Sequence, residues 1–195
     1  MQGYDKVMVF IDGENLVMRY QHMLREGKTA KPHTSHSKDV YVWNDEMIQR
    51  EKIDLRRVTY YTSAVGSDDH INELRESIHK IDYSFRGLPD TFHGATRYQE
   101  QSGSVVPKVY KKPARSQKSR QVDINIAIDM LNHATASQVD RMVLISGDGD
   151  FIPLVREVMR RGIQVHVSAL SSGVSNELKV VADMFASLDG CLFVG

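Results

Sequence analysis

Short apolar runs alternate with amphipathic stretches along the chain. Four runs carry apolar residues with little polar alternation, which is typical of strands buried on both faces of a parallel sheet: VMVFID at 7–12, RRVTYYTSAV at 56–65, RMVLIS at 141–146 and IQVHVSAL at 163–170. Elsewhere apolar residues recur every three or four positions, and this spacing predicts helices at 14–26, 67–81, 122–134, 151–161 and 175–188. Strands that alternate with helices through short connections predict an α/β fold with a parallel sheet covered on both faces.

Two segments break this alternation. Residues 28–42 are polar, contain a proline and show no clear period, so they predict a surface excursion. Further along, TFHGATRY at 91–98 and SVVPKVYKK at 104–112 look like two strands. The intervening QSGS favours a turn, and the pair predicts a β-hairpin.

Composition and charge narrow the class of protein. The chain has 195 residues, 41% hydrophobic and 26% charged, as expected for one ordinary globular domain. Twenty-five basic residues balance twenty-five acidic ones, so only a local patch could attract nucleic acid. The lone cysteine, Cys191, excludes an internal disulfide and a cysteine-rich zinc site, and favours a reducing compartment. Without a membrane-length apolar stretch or a signal-peptide pattern, we expect a cytoplasmic protein with no membrane partner.

Acidic residues follow two of the predicted strands. Asp12 ends the first strand, and Asp148 and Asp150 come just after VLIS in the segment SGDGD. In open parallel sheets, ligands bind beyond the carboxyl ends of strands, where the strand order reverses. If these two strands are neighbours, Asp12 and Asp148 face each other across that crevice.

A third acid comes from the helix predicted at 122–134. At about 100° per residue, its apolar stripe consists of Ile124, Ala127, Ile128 and Leu131. Asp123 then lies at the margin of the buried face in the first turn, where it could point at the end of the sheet. Asp129 lies opposite the stripe, and we expect it to be solvated.

Carboxylates that converge in one crevice repel one another, and a hard divalent cation relieves that repulsion. Oxygen-only ligands favour Mg²⁺ or Mn²⁺, which can activate water and stabilise charge on a phosphate. A simpler interpretation stays open for each acid, because an aspartate after a strand is often only a helix cap or a turn residue.

Five segments share their order and spacing with a known family: VFIDGENL at 9–16, RQVDINIAIDML at 120–131, VLISGDGDFIPLV at 143–155, RGIQVHV at 161–167 and SNELKVVADMF at 175–185. Together they resemble the NYN domain, the LabA-like branch of the PIN-like nuclease superfamily. The resemblance implies a PIN-like three-layer α/β/α sandwich with a central, mainly parallel sheet. It implies one domain over 1–195, with an insertion at 28–45 and a basic loop or hairpin at 100–121.

The resemblance also implies a metal-dependent RNA nuclease. Asp12, Asp123 and Asp148 would be the metal-coordinating acids, and Asp150 would be a fourth catalytic acid or a group supporting them. Asn15 and Ser146 would be supporting polar residues, with Ser146 orienting Asp148 or a phosphate. The family often has Lys-Gly before Val-Asp, whereas this chain has Arg120-Gln121.

A basic stretch leads into Asp123. No acid occurs between Glu100 and Asp123, and the stretch contains six cationic residues: Lys108, Lys111, Lys112, Arg115, Lys118 and Arg120. Such residues contact phosphates without regard to sequence, so the stretch is a candidate RNA-binding track. The alternative is a solvated loop.

Two other functions stay open. A non-catalytic RNA-binding or regulatory module could keep the acids and cleave nothing. A haloacid-dehalogenase-like phosphatase is a weaker alternative, since it needs Asp-x-Asp after the first strand and this chain has Asp12-Gly13-Glu14. A homodimer is also conceivable, with the 28–45 segment as a contact surface.

Overall fold

A parallel six-stranded sheet forms the centre of the protein. A computed structural model describes residues 4–48, 53–92, 95–113, 120–136 and 139–195. The strand order in the sheet is β10-β9-β8-β1-β4-β7, and every neighbouring pair is parallel. The strands are β1 (Asp5–Asp12), β2 (Ser35–Ser37), β3 (Tyr41–Trp43), β4 (Ile53–Ala64), β5 (Asp82–Phe92), β6 (Ala95–Ser104), β7 (Val106–Lys111), β8 (Arg141–Ile145), β9 (Gln164–Ala169) and β10 (Met184–Ser187).

Helices cover both faces of this sheet. They are α1 (Gly13–Arg25), α2 (Asp68–His79), α3 (Arg120–Thr135), α4 (Ile152–Arg160), α5 (Asn176–Val181) and α6 (Asp189–Leu192). Successive residues of β1 point into opposite cores, because strand side chains alternate between faces. Val9 and Ile11 pack with α1 and α2, whereas Met8 and Phe10 pack with α3 and α4. This three-layer α/β/α arrangement confirms the predicted fold class.

The strand order reverses at β1. The chain leaves β1 toward β4 and β7 on one side, and β8, β9 and β10 extend the sheet on the other. Because β1 and β8 are hydrogen-bonded neighbours, Asp12 and the segment after Ile145 lie at the same edge of the sheet. The crevice predicted between Asp12 and Asp148 therefore lies at the switch point of the fold.

The hairpin predicted within 100–121 is wrong in its pairing. The antiparallel partner of β6 is the preceding strand β5, not β7. β7 instead joins the main sheet as an edge strand parallel to β4, where Pro107 is tolerated. The side chain of Val109 is buried in the core, and this burial favours the pairing of β7 with the main sheet over a hairpin with β6. QSGS belongs to β6 and is not a turn.

The helix predicted at 175–188 is helical only in its first half. α5 begins after its N-cap, Ser175, as predicted, but it ends at Val181, and β10 follows. The carboxylate of Asp183 accepts a hydrogen bond from the backbone N–H of Val165 (2.7 Å), which joins the end of α5 to β9. The predicted helix at 67–81 is confirmed as α2, with Ser67 as its N-cap.

The segment predicted as an insertion at 28–45 folds beside α1. Its strands β2 and β3 pair with each other and not with the main sheet. Val42 and Trp43 of β3 are buried in the core shared with α1. Across the described part of the chain, no helix combines the length and apolarity that crossing a membrane requires.

Candidate functional site

Asp12 is the most buried acid of the site. It is the N-cap of α1, and one carboxylate oxygen, Oδ1, accepts the backbone N–H of Asn15 (3.1 Å). The other, Oδ2, accepts the hydroxyl of Ser146 (2.8 Å). The residue is only 2% exposed. Capping explains why an aspartate follows this strand, but a cap does not need to be buried.

Burial raises the pKa of Asp12 from 3.8 to about 7. Desolvation is the main cause, and the two hydrogen bonds oppose it only in part. The negative charges of Asp123 and Glu14 raise the pKa further. Asp12 is therefore held where its neighbours disfavour its charged form, which is a frequent property of functional carboxylates.

Asp148 lies beside Asp12, on the other strand of the switch point. Its backbone N–H donates to Oγ of Ser146 (3.1 Å), so one hydroxyl links both aspartates. Its carboxylate caps the short 3₁₀ helix Gly149–Phe151 by accepting the N–H of Asp150 (3.0 Å). Asp150 itself is exposed. The structure thus brings Asp148 and Ser146 to Asp12, whereas the side chain of Asp150 lies in solvent.

Asn15 joins the two halves of the site. Its side-chain oxygen accepts the backbone N–H of Gly147 (3.0 Å), which fixes the loop after β8 against α1. Gly13 allows α1 to begin this close to the sheet. A Cβ on Gly13 would lie 2.3 Å from Cε1 of Tyr60 and 2.7 Å from the backbone oxygen of Tyr61. In the D-G-x-N segment, packing therefore requires the glycine, while the aspartate and the asparagine supply the polar groups.

Asp123 lies in the first turn of α3. Its charge acts on the carboxyl of Asp12, as expected for neighbouring acids. The face that carries it differs from the prediction. α3 buries Val122, Ile126, Met130 and Ala134, whereas Ile124 and Ile128 are about half exposed. Asp123 borders this buried face as well, because Met130, seven residues further along the helix, projects from nearly the same side.

Asp129 is not solvated, contrary to the prediction. It accepts a hydrogen bond from the hydroxyl of Tyr61 and forms an ion pair with Lys108. The ammonium of Lys108 also lies 5.6 Å from the centre of the Tyr61 ring. The buried face of α3 is rotated from the predicted stripe, and this rotation brings Asp129 to the sheet.

Glu14 is a residue of the site that the sequence did not indicate. Its Oε1 accepts hydrogen bonds from the hydroxyl of Ser63 and the ammonium of Lys112 (3.0 Å), and both charged side chains are 15% exposed. Its Oε2 is buried and has no hydrogen-bond partner among the described residues. The D-G-E spacing was a signal, since it places Glu14 in the first turn of α1, two residues after the N-cap Asp12.

The predicted RNA-binding lysines form ion pairs within the protein. Lys108 pairs with Asp129, Lys111 with Asp68 (2.8 Å) and Lys112 with Glu14. Arg120 is exposed at the start of α3. The other two predicted contacts, Arg115 and Lys118, lie outside the described residues. These pairs could not be predicted from the basic stretch, because it contains no acid and each acidic partner is remote in sequence.

The donor chemistry fits a hydrated hard cation. The acids offer only oxygen atoms. Burial is the main cause of the raised pKa of Asp12, the negative charges of Asp123 and Glu14 add to it, and a bound divalent ion would favour the charged carboxylate against both. Within the described ranges, no three His, Cys, Asp or Glu side chains converge as a ready metal cage. Mg²⁺ is usually held by one or two carboxylates with water completing its shell, so the arrangement suits that ion.

A cleft of about 990 Å³ opens at these acids. Asp12, Glu14 and Asp148 line one end of it, and the outer face of α1 lines the rest. Segment 37–40 forms a wall on one side, and segments 147–149 and 173–175 form another. The cleft is large enough for a ligand to extend from the acids along the helix.

A parallel α/β/α sandwich with aspartates at the ends of two adjacent central strands defines a PIN-like fold. The sequence matches the NYN domain over residues 6–189, so the chain belongs to the NYN domain family. This family lies in the PIN-like superfamily, whose members are generally nucleases, and NYN domain proteins act on RNA.

Two similar proteins cover nearly the whole chain. It is 27% identical over 187 residues to the low amplitude and bright protein LabA of Synechococcus elongatus, covering 94% of this chain and 84% of that protein. A crystal structure of a protein of unknown function from Vibrio parahaemolyticus is 18% identical, with a TM-score of 0.58. That alignment covers 100% of this chain and 99% of the other, and it supports the fold.

Proposed function

We propose that this NYN domain is a ribonuclease that hydrolyses RNA phosphodiester bonds with Mg²⁺ or Mn²⁺. One observation carries the proposal: Asp12 is buried at the switch point, beside Asp123 and Glu14, with a pKa raised to about 7. A purely structural cap would not need this costly environment. Family membership supports nuclease chemistry and leaves the phosphatase alternative without support.

In this proposal Asp12, Asp123 and Asp148 hold the ion, and Asp150 adds negative charge at the mouth of the site. A bound divalent ion would supply an activated water and stabilise charge on the scissile phosphate. The hydroxyl of Ser146 bonds both the Asp12 carboxylate and the Asp148 backbone N–H, and so fixes the position of one relative to the other. Asn15 holds the loop after β8 in place through its hydrogen bond to Gly147.

Lys112 gives the site a cation of its own. Its ammonium lies 3.0 Å from Glu14 Oε1 and lines the same cleft as Asp12. In the proposal this ammonium contacts a phosphate oxygen of the substrate, because Lys can act as a point charge for phosphate. Glu14 positions it.

The test is cleavage of end-labelled single-stranded and hairpin RNAs in Mg²⁺, Mn²⁺ or EDTA. We expect metal-dependent cleavage by the wild type, reduced at least about 100-fold in Asp148→Asn and Asp12→Asn. Asp54→Asn removes an acid that pairs with Arg56 away from the cleft, and it should cleave like the wild type. Full activity in Asp148→Asn would contradict the proposal. RNA binding without cleavage in every metal would identify the non-catalytic module.

A further inference from the structure

The cleft contains cationic side chains that have no acidic partner among the residues that the structure describes. Arg19, Arg25 and Lys38 all line it. None of the three forms an ion pair with a described residue, in contrast to Lys108, Lys111 and Lys112. These unpaired cations lie beside the α1 half of the cleft, not in the basic stretch that the sequence indicated.

Arg19 has the clearest need for a ligand. Its Nε is buried and has no hydrogen-bond partner among the residues that the structure describes. Its guanidinium lies against Gly173, where an added Cβ would be 2.3 Å from Cζ. A buried donor without a partner is costly. Because Arg19 lines the cleft, an anionic oxygen that enters it could form a charge-assisted hydrogen bond with the guanidinium.

The outer face of α1 forms a continuous floor from the acids to the far end of the cleft. Glu14, Met18, Gln21 and Arg25 recur at helical spacing on this face and all line the cleft. At about 1.5 Å per residue, the row extends roughly 16 Å. A stacked strand has one phosphate per 3.4 Å or so, and the row is thus long enough for about five nucleotides.

The wall opposite this floor is tied to the helix. With its amide nitrogen turned toward Asp39, Gln21 donates to Oδ1 of that residue (3.0 Å) and accepts its backbone N–H (2.8 Å). Lys38 is adjacent and exposed. The segment predicted as an insertion therefore contributes a cation to the cleft, next to a residue that Gln21 holds against α1.

Apolar side chains lie among these cations. Met18 is 50% exposed and Val65 is 38% exposed, and both line the cleft. The faces of unpaired bases can pack on such groups, whereas a duplex keeps its bases stacked inside. Cations for the backbone together with apolar contacts for bases favour a single strand.

We propose that this cleft binds single-stranded RNA along α1, with Arg19, Arg25 and Lys38 contacting the phosphates on one side of the scissile bond. The proposal rests on the proposed function for the identity of the ligand as RNA. It adds the path of the substrate and assigns that path to α1 and segment 37–40. It also predicts that these residues contribute more to RNA affinity than the lysines of β7.

The test measures binding in EDTA, so that it does not depend on cleavage. The probes are a fluorescein-labelled 12-nucleotide oligouridylate and a 12-base-pair RNA duplex, followed by anisotropy from 50 to 200 mM salt. We expect Arg25→Gln/Lys38→Gln to weaken single-strand binding at least 10-fold. The slope of log K against log salt should fall by about 1.4, since each single-strand phosphate contact contributes about 0.7.

Two matched controls remove the same kind of charge elsewhere. Arg156→Gln breaks an exposed pair with Glu177, and Lys111→Gln breaks the pair with Asp68. Each should change affinity less than 2-fold, and Arg19→Lys should bind more weakly than the wild type because it loses the planar donor. Equal losses in the controls, unchanged binding in the double variant, or tighter binding of the duplex would overturn the proposal.

The outcomes separate this proposal from nuclease activity. Normal binding by the double variant alongside metal-dependent cleavage by the wild type would reject the RNA path and keep the nuclease. Cleft-dependent binding with no cleavage in any metal would keep the path and reject hydrolysis.

Discussion

Asp12 has two roles, as a helix cap and as a buried acid of the site. As the N-cap of α1 it accepts an N–H, and as a buried acid it lies in the field of Asp123 and Glu14. The sequence predicted that this aspartate lies at the sheet edge, because the strand and the helix after it were both clear. It could not reveal the Lys112–Glu14 pair, since those residues are 98 positions apart.

The raised pKa of Asp12 makes the free energy of unfolding depend on pH. Between about pH 4 and 7 the folded protein keeps a proton that the unfolded chain has released. Stability due to this group is therefore greatest below pH 4 and falls as pH rises to about 7, by on the order of 4 kcal/mol. Asp12→Asn keeps one of the two acceptor oxygens and removes the titration, so this part of the pH dependence should disappear.

Urea unfolding of both proteins at pH 5 and pH 8, in EDTA, measures this difference. The wild type should lose more stability than Asp12→Asn between the two values. An identical pH dependence in the two proteins would show that Asp12 titrates normally in the fold.

At the scale of elements, the sequence predicted which segments are helices more reliably than which face of a helix is buried. α3 has apolar residues on two faces, and periodicity alone favoured Ile124 and Ile128 over Ile126 and Met130. The sheet decided between them, because Met8 and Phe10 of β1 pack with Ile126 and Met130 in one core. In the same way, β7 pairs with β4 through residues remote in sequence, so local turn signals gave the wrong hairpin.

The contact between β7 and α3 predicts that replacing Asp129 lowers the free energy of unfolding more than replacing Asp68. Asp129 is the acceptor for the hydroxyl of Tyr61, a fully buried residue, and the partner of Lys108. Asp129→Ala should lower the free energy of unfolding by about 2 kcal/mol, because it leaves a buried hydroxyl and an ammonium without their acceptor. Asp68→Ala breaks the exposed pair with Lys111 and should cost less than about 1 kcal/mol.

Chemical denaturation of the two variants beside the wild type provides the comparison. Equal destabilisation would mean that the Tyr61–Asp129–Lys108 group does not anchor β7 to α3.

At the scale of the whole molecule, a formal net charge of zero conceals an uneven distribution. Acids cluster at the switch point, and the cleft next to them is lined by cations that form no ion pair with a described residue. The acid end was predictable because strand ends converge in parallel sheets. The cations of the cleft were not predictable, since Arg19 and Arg25 look like ordinary helix-surface residues in the sequence and only the fold places segment 37–40 opposite them.

The most direct test of the metal site is calorimetric titration of the wild type with Mn²⁺, in two buffers of different ionisation enthalpy. Because the pKa of Asp12 is about 7, ion binding should release more than half a proton at pH 6.5 and little at pH 8. Asp12→Asn should bind Mn²⁺ at least about 10-fold more weakly, and Asp54→Asn should bind it normally. Undiminished Mn²⁺ affinity in Asp12→Asn, or no binding by the wild type, would contradict a metal site at the end of β1.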